Sequence, residues 1–320
     1  MANLRAIRTR IKSVESTRQI TKSMKMVAAS KLRKTQGAFA SLGKFAELSG
    51  ELLAEAGKGA GEETRALFAP DRGEPRRTCL VLMVGNRGLC GTYSHTLLRY
   101  CENLARERTQ SAPGKEKTDP AEEPGTPDAG EKVLPPELSL LVCGRWGRDL
   151  IAATGLPVLE TLELSDNPSR EEALQLTERL KRMYLAGEAD EVVLVYQQYR
   201  SVLSQTPGSR VLLPLAPPED AAAADHKEEL IFEPDRERVL EVLLDLYLVN
   251  TVHAAMLEAR TGEHSARMTA MTAAADNTEE LISELTLKLN HARQAAITTE
   301  ITEIASGAEA LRNAQSGGTI

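Results

Sequence analysis

The segment that decides the fold lies near the C-terminus, at residues 234–312, with the sequence PDRERVLEVLLDLYLVNTVHAAMLEARTGEHSARMTAMTAAADNTEELISELTLKLNHARQAAITTEITEIASGAEALR. Its apolar residues recur at helical spacing, and no proline follows Pro234. Pro234 suits a first helical turn, and Asp235 and Glu237 complement the positive end of the helix dipole. Such a helix spans roughly 118 Å at 1.5 Å per residue. It predicts a projecting element whose apolar face needs a partner.

A second long helix is predicted at the opposite end of the chain, over residues 3–57. Its first apolar residues have the 3-4-3 spacing of a coiled-coil seam, at Leu4, Ile7, Ile11 and Val14. We expect the seam then to shift to Ile20, Met24 and Val27, which locally changes the supercoil pitch. Because no other segment offers a comparable face, the two terminal helices are predicted to form an antiparallel coiled coil.

The middle of the chain alternates between apolar strands and amphipathic helices, which favours an α/β domain with a largely parallel sheet. Strands are predicted at Thr78–Val84, Leu138–Cys143 and Glu191–Tyr196, and helices at 92–106 and Ser169–Leu185. The predicted fold class is therefore α/β with long helices: an antiparallel coiled coil of the N- and C-terminal helices plus a small central Rossmann-like α/β domain.

The predicted boundaries follow these patterns: 1–60 for the N-terminal coiled-coil helix, 75–216 for the central domain, 230–312 for the C-terminal coiled-coil helix and 313–320 for a flexible tail. Within the central domain, residues 109–136 are rich in proline, glycine and charge and have few apolar residues. Such a segment buries too little apolar surface to offset its conformational entropy. It is predicted to be a disordered insertion.

Charge is distributed unevenly along the chain. The net charge is −7 at pH 7, yet residues 1–36 carry ten Lys or Arg against a single acid, Glu15. A basic helix of this kind predicts an acidic partner surface. Its lack of interleaved aromatic residues weakens an interpretation as a single-stranded nucleic-acid binder. No nucleic-acid partner is therefore predicted.

The N-terminus lacks the pattern of a signal peptide, because it is studded with charge. The longest apolar runs, Leu80–Val84 and Val192–Tyr196, have the length of strands, so no membrane span is expected. The four cysteines contain no C-x-x-C pair and are expected to be buried free thiols, at Cys79, Cys90, Cys101 and Cys143.

A glycine-rich turn, Gly85-Asn-Arg-Gly88-Leu-Cys-Gly91-Thr, follows the first predicted strand. It matches neither the G-x-x-x-x-G-K-[ST] phosphate loop nor the dinucleotide fingerprint. We expect its glycines to provide tight turns and close packing. The five histidines contain no i, i+4 ligand pair. Catalytic residues, metal ligands and cofactor-binding residues are therefore not predicted.

Four stretches closely resemble the F-type ATP synthase gamma subunit of bacterial type. They are MANLRAIRTRIKSVESTRQITKSMKMVAASKLRKTQ at the N-terminus, GNRGLCGTYS, SQTPGSRVLLPL, and ARMTAMTAAADNTEELISELTLKLNHARQAAITTEITEIASGAEAL near the C-terminus. The similarity covers nearly the whole chain, from Ala2 to Leu311, and begins at residue 2, which predicts that no transit peptide is present.

The resemblance implies a non-catalytic rotor shaft. Its coiled coil would turn inside a ring of three alpha and three beta subunits, and its α/β domain would contact the epsilon subunit and the c-subunit ring. Rotation would couple proton or other ion flow to conformational change at the beta-subunit nucleotide sites, for ATP synthesis or hydrolysis. The expected location is peripheral, at the cytoplasmic face of the bacterial inner membrane.

The resemblance also implies coupling contacts with the beta subunits at five positions: Met24, Lys25, Arg267, Gln294 and Thr298. From the residues alone, Met24 is equally explained by packing in the seam. Gln294 and Thr298, four residues apart, are equally explained by one solvated helix face.

One position departs from the family pattern, and two other functional classes stay open. Gly262 lies where the family tends to have a small non-glycine residue, and it is expected to cost roughly 1 kcal/mol relative to alanine and to soften the helix. One alternative is a nucleotide-binding enzyme, which needs the phosphate loop that Gly85–Thr92 lacks. The other is a coiled-coil scaffold with a basic arm, whose nucleic-acid binding would depend on salt.

Overall fold

The structure is a computed structural model that describes residues 2–56, 67, 76–110, 137–151, 154–215, 233 and 235–316. It forms two compact units, one made of Met1–Val27 with Met268–Ile320 and the other of Ala28–Arg267. We call them the coiled-coil unit and the sheet unit. Most of the predicted insertion at 109–136, and the last four residues of the predicted tail, lie outside the described residues.

The two longest helices, α1 and α5, are the terminal ones. The elements are, in chain order, α1 (Ala2–Ala56), β1 (Arg77–Met83), α2 (Tyr93–Gln110), β2 (Glu137–Cys143), α3 (Arg145–Ile151), β3 (Val158–Leu162), α4 (Arg170–Leu185), β4 (Glu191–Tyr199), β5 (Gln205–Leu213) and α5 (Arg236–Ser316). Both terminal helices predicted from the periodicity are therefore present, and α5 continues beyond the predicted end at residue 312.

The five strands of the sheet unit form one sheet in the order β3-β2-β1-β4-β5. β1 pairs in parallel with β2 and β4, β2 pairs in parallel with β3, and β5 runs antiparallel to β4. This is the strand order of a doubly wound, dinucleotide-binding type of sheet, with its last strand reversed. The predicted Rossmann-like domain is thus confirmed.

Each face of the sheet is covered by helices, so the central strands are buried on both sides. Alternate residues of β1 point to opposite faces: Leu80 and Leu82 pack with α2 and α3, while Val81 and Met83 pack with α4 and α5. The stripe that α5 contributes to the second face follows a spacing of four residues, at Leu240, Leu244, Leu248, Val252 and Met256. Burial of this stripe holds the first part of α5 on the sheet.

Two strands and one helix of the sheet unit are absent from the sequence-based prediction. β3 is a partly exposed strand of five residues, and β5 contains Pro207 and Gly208, which weaken a strand pattern. Both strands lie at the edges of the sheet, where proline and partial exposure are tolerated. α3 has only seven residues, too few for a helical period to show.

The two helices of the coiled-coil unit run antiparallel. Glu279 of α5 lies 3.9 Å from Arg18 and 4.0 Å from Lys22 of α1. Further along α5, the hydrogen bond from Lys288, with a smaller contribution from the charge of Arg10, lowers the pKa of Glu284. Partners on α1 therefore move toward its N-terminus as α5 advances, which confirms the predicted antiparallel arrangement.

The predicted shift of the α1 seam at Ile20 and Val27 is wrong. These two side chains are 57% and 55% exposed. The buried and half-buried positions that follow Val14 are instead Arg18, Thr21 and Met24. Residues 18 and 21 continue the 4-3 spacing of the first seam residues, so the heptad carries on through polar side chains. The apolar pattern alone therefore misplaced the seam.

One described helix meets the length and composition of a membrane span, within Glu237–Glu309 of α5. More than half of that apolar window, 56%, is buried inside the protein. Packing on the sheet accounts for the apolar character, because the stripe of α5 described above belongs to the same core as α4 and the sheet.

At Gly144, directly after β2, the backbone closely approaches the segment that follows β1. Its φ is +127°, and an added Cβ would lie 2.2 Å from the carbonyl oxygen of Val84. We expect Gly144→Ala to lower the free energy of unfolding by roughly 1–3 kcal/mol, through backbone strain and this clash. Urea denaturation of the purified chain measures it.

Gly37 supplies the matched control, because it is exposed on α1 and an added Cβ would meet nothing within 4 Å. Gly37→Ala should raise stability by about 0.5–1 kcal/mol. Equal effects of the two substitutions would contradict the close approach at Gly144.

Candidate functional site

In a doubly wound sheet, ligands bind outside the carboxyl ends of the parallel strands. In this protein, residues 258–267 of α5 occupy that edge, against the segments that follow β1 and β3. The carboxyl carbon of Glu263 would lie 3.0 Å from a Cβ added at Gly85, just beyond β1. The candidate site is therefore built by α5 at the place where a nucleotide would otherwise bind.

Glu263 lies between two guanidinium groups on its own helix. Its Oε2 is 2.5 Å from NH1 of Arg260, and its Oε1 is 2.5 Å from NH2 of Arg267. The three residues are only 2–8% exposed. Burial raises the pKa of Glu263, but the positive charges of Arg260 and Arg267 outweigh it, so the net shift is downward. The carboxylate is therefore ionised and bridges both cations.

These residues and their polar neighbours on one stretch of α5 form what we call the polar cluster: Glu258, Arg260, Glu263, His264, Ser265 and Arg267. Each makes at least one hydrogen bond, and together they tie α5 to four other parts of the sheet unit: the glycine-rich turn, the connector after β3, β4 and the β4–β5 hairpin.

Arg267 holds the glycine-rich turn. It donates to the carbonyl oxygens of Arg87 at 2.9 Å and Gly88 at 3.4 Å. The turn has two residues of positive φ, Leu89 at 64° and Gly91 at 61°. Its other glycines allow close approach, since a Cβ at Gly88 would lie 3.1 Å from the ring of Trp146. The prediction that these glycines serve tight turns and close packing is confirmed.

Arg260 binds the connector that follows β3. Its NH2 donates to the carbonyl oxygen of Leu164 at 3.3 Å, and its NH1 lies 3.5 Å from the carbonyl oxygen of Val84. Asn86 of the glycine-rich turn donates to the same Leu164 oxygen at 2.6 Å. Turn, connector and α5 therefore share one set of hydrogen bonds.

The same connector also contacts α1. Asp166 forms an ion pair with Lys31 of α1, and its backbone oxygen lies 3.3 Å from Nε2 of His264. The other ring nitrogen of His264, Nδ1, lies 3.4 Å from NH1 of Arg267. Because a guanidinium is only a donor, this arrangement fits neutral histidine with its proton on Nε2. Burial is the main cause that lowers the pKa of His264.

Three further contacts fasten other sides of α5. The backbone N–H of Tyr199 on β4 donates to Glu258 at 2.8 Å. Ser265 donates to the carbonyl oxygen of Val202 in the β4–β5 hairpin at 2.7 Å. The hydroxyl of Tyr93 on α2 donates to the carbonyl oxygen of Ala259 at 2.7 Å.

Gly262 has a packing role in this arrangement. An added Cβ would lie 3.2 Å from the ring of Tyr93, which is tighter than an ordinary contact. The glycine was expected to soften the helix. Its absent side chain instead lets α5 approach α2 closely enough for the Tyr93 hydroxyl to reach the helix backbone.

The described residues offer no reactive group at this edge. All four cysteines are buried free thiols, as predicted. Burial raises the pKa of Cys101 and of Cys143 to about 12, so these thiols stay protonated and unreactive. Among the same described residues, three or more His, Cys, Asp or Glu side chains never gather as a metal site. The polar cluster holds a helix in place. Its charged groups are paired with one another and with backbone groups of the sheet unit.

The five residues predicted as coupling contacts fall in different environments. Met24 is half-buried in the seam of the coiled-coil unit, whereas Lys25 next to it is exposed. Gln294 and Thr298 are exposed and lie on one face of α5, where the Thr298 hydroxyl donates to the Gln294 carbonyl oxygen at 2.9 Å. Arg267 belongs to the sheet unit and is buried in the polar cluster.

Sequence reasoning missed the partners of Arg267. The signal was present as Arg260, Glu263 and Arg267, opposite charges spaced three and four residues apart on a helix. Such spacing is common on solvated helix faces, so it does not reveal burial. Asp166 and Lys31 are distant in sequence, and only the fold brings them together.

The fold and the cluster define a class of protein: a two-helix coiled coil joined to a doubly wound sheet unit whose ligand edge is filled by its own C-terminal helix. Comparison with known proteins identifies the family. The family model described as ATP synthase matches residues 3–311. The ATP synthase gamma chain of Moorella thermoacetica is 38% identical over 98% of this chain and 100% of its own length. The ATP synthase gamma chain of Desulfitobacterium hafniense is 37% identical over 97% of this chain and 100% of its own length.

Solved structures agree on the fold. A chain of the Euglena gracilis mitochondrial ATP synthase, solved as OSCP/F1/c-ring in rotational state 3, has a TM-score of 0.68 at 17% identity and covers 99% of this chain and 97% of its own. A chain from the central stalk and c-ring of the Tetrahymena thermophila mitochondrial ATP synthase has a TM-score of 0.51 at 22% identity. The match covers 80% of this chain and 99% of that one. The protein belongs to the ATP synthase gamma-chain family.

Loss of the Glu263 carboxylate should destabilise the chain strongly. Glu263→Gln leaves two buried guanidiniums without their counter-ion, and we expect it to lower the free energy of unfolding by about 3–5 kcal/mol. Urea denaturation of the full chain measures the change. Glu284→Gln is the control, since Glu284 forms an exposed i, i+4 pair with Lys288 at 2.6 Å. A result in which both variants unfold alike would show that the buried pairs add nothing.

His264 should make stability depend on pH. Its folded pKa lies below the unfolded value of about 6.5, so between the two the unfolded chain binds more protons. Stability is therefore full above about pH 6.5 and falls as the pH drops below it. In His264→Gln, the free energy of unfolding should vary less between about pH 5 and 7 than in the wild-type chain. If the free energy of unfolding of His264→Gln changed with pH as much as that of the wild-type chain, His264 would be excluded as the source of this pH dependence.

Proposed function

We propose that this chain is the rotating central shaft of an F-type ATP synthase. Its coiled-coil unit would turn inside a ring of three alpha and three beta subunits. Its sheet unit would contact the epsilon subunit and the c-subunit ring. Rotation would couple ion flow through that ring to conformational change at the beta-subunit nucleotide sites. The chain itself would be non-catalytic and would bind no cofactor of its own.

The observation that carries this proposal is an exposed apolar face on α5 in the coiled-coil unit. Ile297, Ile301 and Ile304 are 47%, 62% and 72% exposed, at intervals of four and three residues. A helix that worked alone in water would have polar side chains there. Gln294 and Thr298 lie beside these isoleucines at helical spacing. The face has the character of a surface that a surrounding ring covers.

The basic face of α1 supports the same role. Eight of the ten cations in residues 1–36 are exposed, and one of them precedes the apolar Met26 and Val27, which are themselves 70% and 55% exposed. Lys25 is among these cations, and acidic loops of the beta subunits would be its complement. Met24, half-buried beside it, would contact the same subunit with the part of its side chain that the seam leaves exposed. We propose Met24, Lys25, Gln294 and Thr298 as direct contacts of the beta subunits.

Rotation would change nucleotide affinity by differential contact. Each beta subunit would meet a different face of the shaft at each angle, and the face that contacts one conformation better shifts the equilibrium toward it. Torque of this kind needs a stiff rod and complementary surfaces, which fits a site without reactive groups.

Gamma chains are peripheral members of a membrane-attached complex. For this chain we propose the cytoplasmic face of a bacterial inner membrane. The support is its similarity to bacterial gamma chains over 97–98% of its length.

Reconstitution tests the proposal. Purified alpha and beta subunits are mixed with and without this chain, and subunit stoichiometry and ATP hydrolysis are measured. We expect one copy of the chain for every three beta subunits and a higher turnover with the chain than without it. A chain that neither joins the complex nor changes its turnover would overturn the proposal and favour the scaffold alternative.

In the assembled complex, Gln294→Ala and Thr298→Ala should each lower turnover by about two- to tenfold, the effect of losing roughly one hydrogen bond. Thr299→Ala is the matched control. Thr299 is exposed, is adjacent in sequence and makes the same bond to the carbonyl oxygen four residues back, at 3.0 Å. It points to a different side of α5, since successive residues are about 100° apart. Equal losses in Thr298→Ala and Thr299→Ala would rule out a specific contact.

A further inference from the structure

We propose that the polar cluster is the torsional joint of the shaft, which prevents α5 from turning about its own axis on the sheet unit, and that Arg267 acts in coupling through Glu263 as a positioning residue. The inference rests on the proposed function. In it, residues of the sheet unit transmit torque into the long helix α5.

The contacts of the polar cluster hold α5 on two opposite sides. At about 100° per residue, Ser265 lies within about 20° of Glu258 around the helix axis. By the same count, Arg260, Glu263 and Arg267 lie about 140–200° away from Glu258. The first side is fastened to β4 and the β4–β5 hairpin, and the second to the glycine-rich turn and the β3 connector. A helix fastened on both sides resists rotation about its axis.

The chemistry of the contacts suits this task. The preceding part of α5 packs on the sheet through an apolar stripe, and apolar contacts are non-directional. The polar cluster instead uses charge-assisted hydrogen bonds of fixed geometry, in particular the 2.5 Å contacts of Glu263 with Arg260 and Arg267. Replacing a whole buried ion pair by apolar side chains often changes stability little, although removing one partner is costly, so a role in fixing orientation is the better explanation of its presence.

The location of the polar cluster points the same way. The sheet unit ends at Arg267 on α5, and the coiled-coil unit begins at Met268. The polar cluster therefore lies at the end of the part of α5 that belongs to the sheet unit. Torque that passes along α5 out of the sheet unit would pass through this segment.

The first helix is fastened at a corresponding place. The sheet unit begins at Ala28 on α1, and Lys31, three residues later, forms its ion pair with Asp166. The backbone oxygen of Asp166 also contacts His264 of the polar cluster. A single connector thus fastens both long helices within the sheet unit, close to the residues at which each of them leaves it.

Arg267 has little capacity left for a contact outside the chain. It is 8% exposed, and its nitrogens face Glu263, His264 and the carbonyl oxygens of the turn. A substitution at this position would disturb coupling by loosening α5. This explanation differs from the direct beta-subunit contact that the family resemblance implies.

The experiment measures the torsional stiffness of the assembled complex. The alpha–beta ring is fixed to a surface and held without turnover, and a bead is attached to the sheet unit through Gln175→Cys on the exposed face of α4. The four native cysteines of this chain are buried, so the new thiol is labelled selectively when the chain is treated before assembly. The variance of the bead angle reports the compliance of the shaft.

We expect Arg267→Gln and Asp166→Asn each to raise this variance by at least about twofold over the parent, as loss of a directional ionic contact loosens the joint. Asp190→Asn is the matched control. Asp190 pairs with Arg77 at 2.9 Å in the same unit, before β4 and away from the polar cluster. It should leave the variance unchanged.

A double-mutant cycle tests the route through Glu263. If Arg267 acts through Glu263, the variance of Arg267→Gln combined with Glu263→Gln will not exceed that of the stronger single variant. Additive effects would overturn this part of the proposal. Should Glu263→Gln fail to assemble, Glu263→Asp, which keeps the charge and shortens its reach, replaces it.

The outcomes separate the joint from the proposed function. If the parent chain assembles and raises turnover, but Arg267→Gln leaves the variance at the parent value, the joint is refuted and the shaft stands. If Arg267→Gln lowers turnover without changing the variance, Arg267 acts by an outside contact, and the inference is again refuted. A parent chain that does not assemble refutes the proposed function itself.

Discussion

The buried carboxylate of Glu263 between Arg260 and Arg267 is the interaction on which the rest of the sheet unit depends. None of these charges is tolerable alone at this depth, because an unpaired buried ion loses its hydration without compensation. Paired, they fix the direction of both guanidiniums, which then bind carbonyl oxygens of the turn after β1 and of the connector after β3. Gly85 at the start of the turn follows from the same constraint, since a Cβ there would press on the Glu263 carboxylate.

Helix α5 meets three different environments in turn, and its composition changes with each. Its first part is an apolar stripe on the sheet, its middle is the polar cluster, and its last part has apolar side chains such as Ile301 and Ile304 exposed. The third arrangement is one that a protein acting alone in water would avoid. In the proposed shaft, these three environments would serve for attachment, orientation and contact with a ring. A fold that binds nucleotides elsewhere is used here as a holder for a helix.

The long helices and the parallel strands were predictable because their signals are local. Regular apolar spacing and the absence of proline reveal α5, and continuous apolar runs reveal β1, β2 and β4. Edge strands gave no such signal, as Pro207 and Gly208 of β5 show. The seam of α1 was misplaced because it continues through Arg18 and Thr21, whereas the apolar Ile20 points to solvent. An apolar side chain reserved for a partner cannot be distinguished by pattern from one that packs within the chain.

By itself, the sequence determined the class of fold, the pairing of the two chain ends and the membership of a family of non-catalytic subunits, because periodicity and motif similarity depend only on the order of residues. Only the tertiary structure decided which charged residues are buried. Arg267 has the spacing of a surface residue and the surroundings of a core residue. Its partners come from turns that adjoin only when parallel strands end at one edge of a sheet. That convergence is a property of the strand topology. The sequence separations of Lys31, Asp166 and His264 do not show that these residues are neighbours.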